Sequence, residues 1–273
     1  SVLLMGSSGS GKTYSLSTLL EAGLEVFLVI TEPHGLETVL DAVSAKKLDI
    51  SKLHWSYIPP SRPGFDTLLK MGTQISTMDQ KSLSDMRATP RGDASWIKLL
   101  TCLSKFIDDK DGKDYGPVDA FGPERALVID SLSGLSAMAM DVTIGDKVTA
   151  NPGEWGIAMR NLDKLILACT SGLRCTFVLT AHTEREEDQI TGASKIMAST
   201  LGKKLAPQLP KFFSEVILAD TTSEGDKRTY LWSTNTNNTV LKNRSLPISS
   251  KLAPDFRPVV EAYRARLKLA TAA

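Results

Sequence analysis

The sequence predicts an α/β fold: a mostly parallel sheet flanked by helices, with an antiparallel hairpin at its C-terminal edge. Three observations carry this. Short, continuously apolar runs such as Val2-Leu3-Leu4-Met5 recur along the chain, as strands covered on both faces require. Helical patterns separate these runs, so crossovers join the strands and the strands lie parallel. Late in the chain, two strand-like segments flank an Asn-rich turn, which reads as a hairpin.

The elements follow in order. Residues 2–5 form a strand that runs into a Gly/Ser loop, and a helix covers about 13–20. Residues 26–30 make the second strand, 36–47 a helix, and 54–58 a third strand stopped by Pro59-Pro60. Residues 61–121 give a weaker signal and read as an insertion. Within it, Trp96, Leu99, Leu100, Leu103, Phe106 and Ile107 share one helical face, with Asp93 and Ser95 as caps. The stretch 108–122, rich in Asp, Gly and Pro, is a loop. Strands are expected at 126–129, 176–179 and 216–219, and a helix at 155–169. The hairpin pairs 229–233 with 239–242, and a helix at about 259–270 closes a single domain spanning 1–273.

Composition excludes several function classes. The 273 residues carry 32 basic and 31 acidic side chains, a formal net charge of +1. That excludes a wholesale basic coat for nucleic acid, though not a local stripe. No apolar run approaches the ~20 residues of a membrane span, so no membrane partner is expected. Cys102, Cys169 and Cys175 form no CxxC pair and read as reduced thiols of a cytoplasmic protein, without a zinc site. Arg91-Gly92-Asp93 and the sequons at Asn237 and Asn243 read as chance in that setting. The chain opens at Ser1 without Met, so a short preceding piece is expected.

The strongest motif is Gly6-Ser7-Ser8-Gly9-Ser10-Gly11-Lys12-Thr13, which fits GxxxxGK[ST] between a strand and a helix. Its glycines let backbone N–H groups curl around a polyphosphate, and the helix N-terminus adds partial positive charge. Lys12 is placed for the β- and γ-phosphates and the Thr13 hydroxyl for Mg²⁺. The apolar strand Ala126-Leu127-Val128-Ile129 ends in Asp130, whose carboxylate is the second metal group. No Asn-Lys-x-Asp guanine-reading element occurs, which favours ATP over GTP.

Val128-Ile129-Asp130-Ser131-Leu132-Ser133-Gly134-Leu135 resembles the strand-Asp-Ser segment of RecA-superfamily ATPases, and Leu28 to Glu37 is similar to their second strand and acidic turn. The resemblance implies a RecA-like sheet. It makes Glu32 the residue that orients the attacking water, with Glu37 as the fallback because Pro33 interrupts the match. It also makes His182 the γ-phosphate-sensing residue at a strand end. Lys242 and Arg244 resemble the Lys-x-Arg pair that such proteins project into a neighbour's ATP site, which implies self-assembly into a ring or filament. Segments 192–209 and 241–246 resemble phage nucleotide-binding proteins of this superfamily, some of which are ATP-dependent annealing or recombination proteins. Single-stranded DNA is therefore the implied partner.

In such proteins two loops, here about 141–154 and 183–194, would face DNA. The second holds Glu184, Glu186, Glu187 and Asp188 against Arg185, a poor surface for phosphate. Lys195, Lys203, Lys204, Lys211, Arg264, Arg266 and Lys268 are the compensating cations, and Trp155 is the best stacking residue. The competing reading is an ATP-dependent assembly or regulatory module without direct DNA binding. A small-molecule kinase would want an arginine-rich lid, and none is visible.

Overall fold

The computed structural model describes residues 1–61, 64–85, 94–145, 147–187 and 194–272. Eight strands form one sheet: β1 (Val2–Gly6), β2 (Glu25–Ile30), β3 (Leu53–Tyr57), β4 (Arg125–Asp130), β5 (Thr176–Glu187), β6 (Ser194–Ala198), β7 (Glu215–Glu224) and β8 (Lys227–Ser233). Their order is β3-β2-β4-β5-β1-β7-β8, with β6 paired to β5 alone. The pairings from β3 through β7 are parallel. The β5–β6 and β7–β8 pairs are antiparallel.

The inner strands β1, β2 and β4 are almost wholly apolar because helices cover both faces. On one side Phe27, Leu127, Ile129 and Leu179 pack with the helix Leu132–Ile144. On the other, Val26, Leu28, Val128 and Val178 pack with Leu16, Leu19, Val39 and Val43 from helices Lys12–Ser15, Ser17–Glu21 and Gly35–Ala45 and the turn at Leu16 between the first two. Leu132–Ile144 buries Leu132, Leu135, Met138 and Ala139. It has little polar face, so amphipathic periodicity does not reveal it. The helix Pro152–Gly172 starts where Asn151 and Glu154 form a reciprocal capping box.

Three expectations are corrected. The hairpin forms between β7 and β8 around Gly225 (φ 58°), not across the Asn-rich turn. Residues 239–242 give only a bridge from Lys242 to Val216. A glycine at positive φ makes the tighter turn, and β7 offers β8 a strand that extends past the core. Second, the strand expected at 176–179 runs on to Glu187 and pairs with β6, so the loop expected from 183 begins as a β-arm. Third, Leu100 and Ile107 are exposed, because the helix Ser95–Ser104 ends before Ile107 and buries Trp96, Leu99 and Cys102 instead. Ala94 stands at that helix's N-cap without a side-chain bond. Asp93, the Arg-Gly-Asp segment and Asp188 lie outside the described residues.

The stretch 61–121 separates β3 from β4 and includes the helices Phe65–Thr77, Gln80–Asp85 and Ser95–Ser104. Its C-terminal part is pinned to the sheet by a buried polar and aromatic cluster. His54 Nδ1 meets Asp108 Oδ2 at 2.8 Å, and His54 Nε2 meets Glu25 Oε1 at 3.2 Å. Arg125 Nε donates to Glu25 Oε2 at 2.8 Å. Phe27 packs against Phe106, Tyr115 and Phe121 with ring centroids 5.1, 5.0 and 4.4 Å apart. The three cysteines are buried and unpaired. Among the described residues, no helix is long and apolar enough to cross a membrane.

Phe27 brings an aromatic ring from β2 to that cluster and is fully buried. Phe27→Ala is expected to cost about 3–5 kcal/mol, read as a lowered denaturant midpoint. The loss should be accompanied by faster proteolysis within 94–121. A change under about 1 kcal/mol would show that the stretch is held by other contacts.

Candidate nucleotide-binding site

The C-terminal ends of β1 and β4 meet the middle of β5 at one end of the parallel sheet, where open parallel sheets bind ligands. Register sets this: Gly6 lies beside His182, and Ile129 beside Leu179. A cleft of about 720 Å³ opens there, lined by the phosphate loop together with Glu32, Asp130, His182 and Tyr230. That volume lies within the range of small-molecule pockets.

The loop has the backbone its sequence requires. Gly11 has φ 84° and caps the helix Lys12–Ser15. A Cβ there would lie 2.8 Å from the Tyr230 ring, so glycine serves both conformation and contact. At Gly6 a Cβ would collide with the Ala219 carbonyl oxygen and lie 2.5 Å from Ser10 Oγ. Ser10 Oγ is itself buried and has no hydrogen-bond partner among the described residues. Lys12 Nζ donates to the Gly6 and Ser7 carbonyl oxygens, each at 2.9 Å. Desolvation lowers the Lys12 pKa, partly opposed by Asp130 and Glu32.

Asp130 is the hub. Thr13 Oγ1 donates to its Oδ2 at 2.8 Å, and Thr180 Oγ1 donates to its Oδ1. Burial pushes the Asp130 pKa up, and the two hydroxyls pull it back. The donor set suits Mg²⁺: hard oxygens from one carboxylate and one hydroxyl, with a triphosphate to supply the rest. Among the described residues no cluster of three or more His, Cys, Asp or Glu offers a self-contained metal site.

Glu32 sits beside this pair. It accepts from the Ser131 hydroxyl, and its Oε2 lies 3.1 Å from His182 Nε2. The His182 bond, with help from Ser131, holds the Glu32 carboxyl below the usual range against the cost of burial. The fallback residue, Glu37, instead pairs with His34 Nδ1 at 2.9 Å, and both are exposed.

Lys12, Thr13, Asp130, Glu32 and His182 therefore share one cleft with Ser8, Gly9, Ser10 and Gly11 of the loop, while Gly6 and Ser7 do not line it. Lys242 and Arg244 do not join them. Lys242 Nζ donates to the carbonyls of Pro210 at 3.0 Å and Phe213 at 2.5 Å, and its bridge to Val216 sits near the start of β7, at the end of the sheet opposite the cleft. The Arg244 backbone N–H donates to Glu215, while its side chain is exposed. The expected alternation of two cations along one strand face is replaced by one half-buried lysine bound to its own chain. Sequence reasoning missed Thr180, Tyr230 and Arg228. The Arg228 Nη2 donates to the Gly9 carbonyl oxygen at 2.9 Å. Only the polar Thr180 within an apolar strand left a sequence trace.

A nucleotide-binding loop, a metal-suited Asp/Thr pair and an adjacent ionised carboxylate define a phosphate-loop nucleotide-binding domain of α/β class. The chain belongs to the AAA domain family, whose model matches residues 1–245. No curated protein matches it.

Removing His182 removes the largest influence that lowers the Glu32 pKa. In His182→Ala that pKa rises, so Glu32 is protonated at higher pH. The acid limb of any hydrolysis profile should move upward, as followed by initial rates between pH 4.5 and 7. An unmoved limb would show that Glu32 does not set it.

Proposed function

We propose that the chain binds ATP with Mg²⁺ and hydrolyses it. The observation that carries this reading is Glu32, held ionised between Ser131 and His182 beside the Asp130–Thr13 pair. Lys12 exchanges the Gly6 and Ser7 carbonyls for the β- and γ-phosphates. Thr13 and Asp130 would hold the metal, which would supply positive charge to neutralise the phosphates. Glu32 orders a water and takes its proton as the water attacks. His182 steadies Glu32. The absence of a guanine-reading element favours ATP.

His182 also lies on β5, which continues without a break into Thr183–Glu187. A change in the Glu32–His182 contact is thereby delivered to the β5–β6 arm. Of the two clients that could read the arm, a protein fits its charge better than DNA. Glu184, Glu186 and Glu187 lie on β5, with Lys195 in register opposite Glu186. The other cations weighed for DNA are mostly engaged elsewhere. Lys211 Nζ donates to Gln208, Arg264 to the Ala22 carbonyl, and Arg266 to Ser245. Lys204 and Trp155 are exposed, and the Lys203 side chain lies outside the described residues. We therefore favour an ATP-dependent assembly or regulatory module. The annealing and recombination reading draws support from resemblance alone. Assembly with copies of itself remains part of the proposal, with Arg244 as the exposed cation for a neighbour's site.

Three outcomes are expected. Lys12→Ala should lose nucleotide binding, measured by calorimetric titration. Glu32→Gln should keep ATP bound while hydrolysis falls about 100-fold or more. Full turnover in either variant would refute the role given to that residue. Labelled single-stranded DNA at low salt should bind weakly with or without ATP. Tight, ATP-stimulated binding with a steep salt dependence would reverse the choice of client.

A further inference from the structure

The β7–β8 hairpin extends past the end of β1. Gly6, the last residue of β1, pairs with Ala219, while Asp220–Glu224 continue in register with Lys227–Leu231. This extension stands beside the phosphate loop. Alternation along β8 puts Arg228, Tyr230 and Trp232 on one face. Trp232 is buried against Phe256, with ring centroids 4.7 Å apart. Tyr230 packs on Gly11 and lines the cleft. Arg228 lies over the Tyr230 ring, 5.4 Å from its centroid, and reaches Gly9. One strand face thus leads from the core to the loop.

Arg228 is a cation with weak present partners. Its bonds go to the Gly9 carbonyl and, at 3.4 Å, to Thr221 Oγ1. Among the described residues it faces no carboxylate. Lys12 is the other cation of the loop, and it approaches from within. A guanidinium held outside the loop at Gly9 can exchange one carbonyl for two phosphate oxygens, a stronger, charge-assisted pairing.

We propose that Arg228, acting within its own chain, leaves Gly9 to contact the terminal phosphate of bound ATP, with Tyr230 as the platform that aims it. This rests on the ATP reading above and adds the residue that distinguishes ATP from ADP.

The test is calorimetric titration of wild type, Arg228→Ala and Arg228→Lys with a non-hydrolysable ATP analogue and with ADP, at several protein concentrations. Arg228 is exposed, so both variants should melt within a few degrees of wild type. Arg228→Ala should lose about ten-fold or more in affinity for the ATP analogue and under three-fold for ADP, at every protein concentration. Arg228→Lys should recover part of the loss. An unchanged ATP affinity, or equal losses for both nucleotides, would overturn the proposal; equal losses would make Arg228 a latch on the loop only. A loss seen only at concentrations where the chain self-associates would overturn the within-chain assignment. Failure of wild type to bind either nucleotide would sink the ATP reading itself.

Discussion

The site depends on keeping one buried carboxylate in place. Asp130 is 4% exposed, and a charge so placed is costly unless it is hydrogen-bonded. Its donors come from two other parts of the chain: Thr13 after β1 and Thr180 within β5. The register of three strands is therefore constrained by one side chain. A one-residue slip of β5 would bring Leu179 or Ala181 to Asp130, exchanging a hydroxyl for a hydrocarbon and reversing the strand's faces. The apolar packing of Val178 and Leu179 on opposite sides of the sheet opposes the same slip. Core and site specify the same register for different physical reasons.

A second constraint couples β2 to β4 at the same edge. Thr31 Oγ1 accepts from the Ser131 N–H at 2.8 Å and donates to the Ser131 carbonyl at 3.1 Å. The Ser131 hydroxyl in turn donates to Glu32. Glu32 is thus aimed at the cleft from both ends of its setting: backbone bonds through Thr31 on one side and the His182 ring on the other. A carboxylate held this way loses little freedom when it orders a water, the condition under which positioning contributes to rate. Glu37 lies on an exposed helical turn and has no comparable support.

The parallel core was legible because burial on both faces makes β1, β2 and β4 continuous apolar runs in the sequence. The phosphate loop and Asp130 were legible because their chemistry fixes residue types at set spacings. What escaped notice was held by pairing rather than burial. The outer half of β5 carries Glu184, Arg185, Glu186 and Glu187, and its strand character comes from β6 opposite. The helix Leu132–Ile144 escaped because it is apolar on nearly every side. Arg228 became recognisable only when the phosphate loop was brought against it. Lys242 misled for a related reason: a Lys-x-Arg pattern records charge, but not the Pro210 and Phe213 carbonyls that fold the lysine back onto its own chain.

Those carbonyl contacts have a counterpart in the phosphate loop. Lys12 donates to Gly6 and Ser7, and Arg228 to Gly9, so both cations satisfy the loop's own oxygens. Neither is left as an unbonded charge, which for the buried Lys12 spares a desolvation cost. Polyphosphate binding then trades neutral carbonyl acceptors for anionic ones. The net gain is the difference between a cation bonded to a neutral oxygen and the same cation bonded to an anionic one. A loop organised this way selects for phosphate charge. A neutral or singly charged ligand would have to break the same internal bonds and would return less for them.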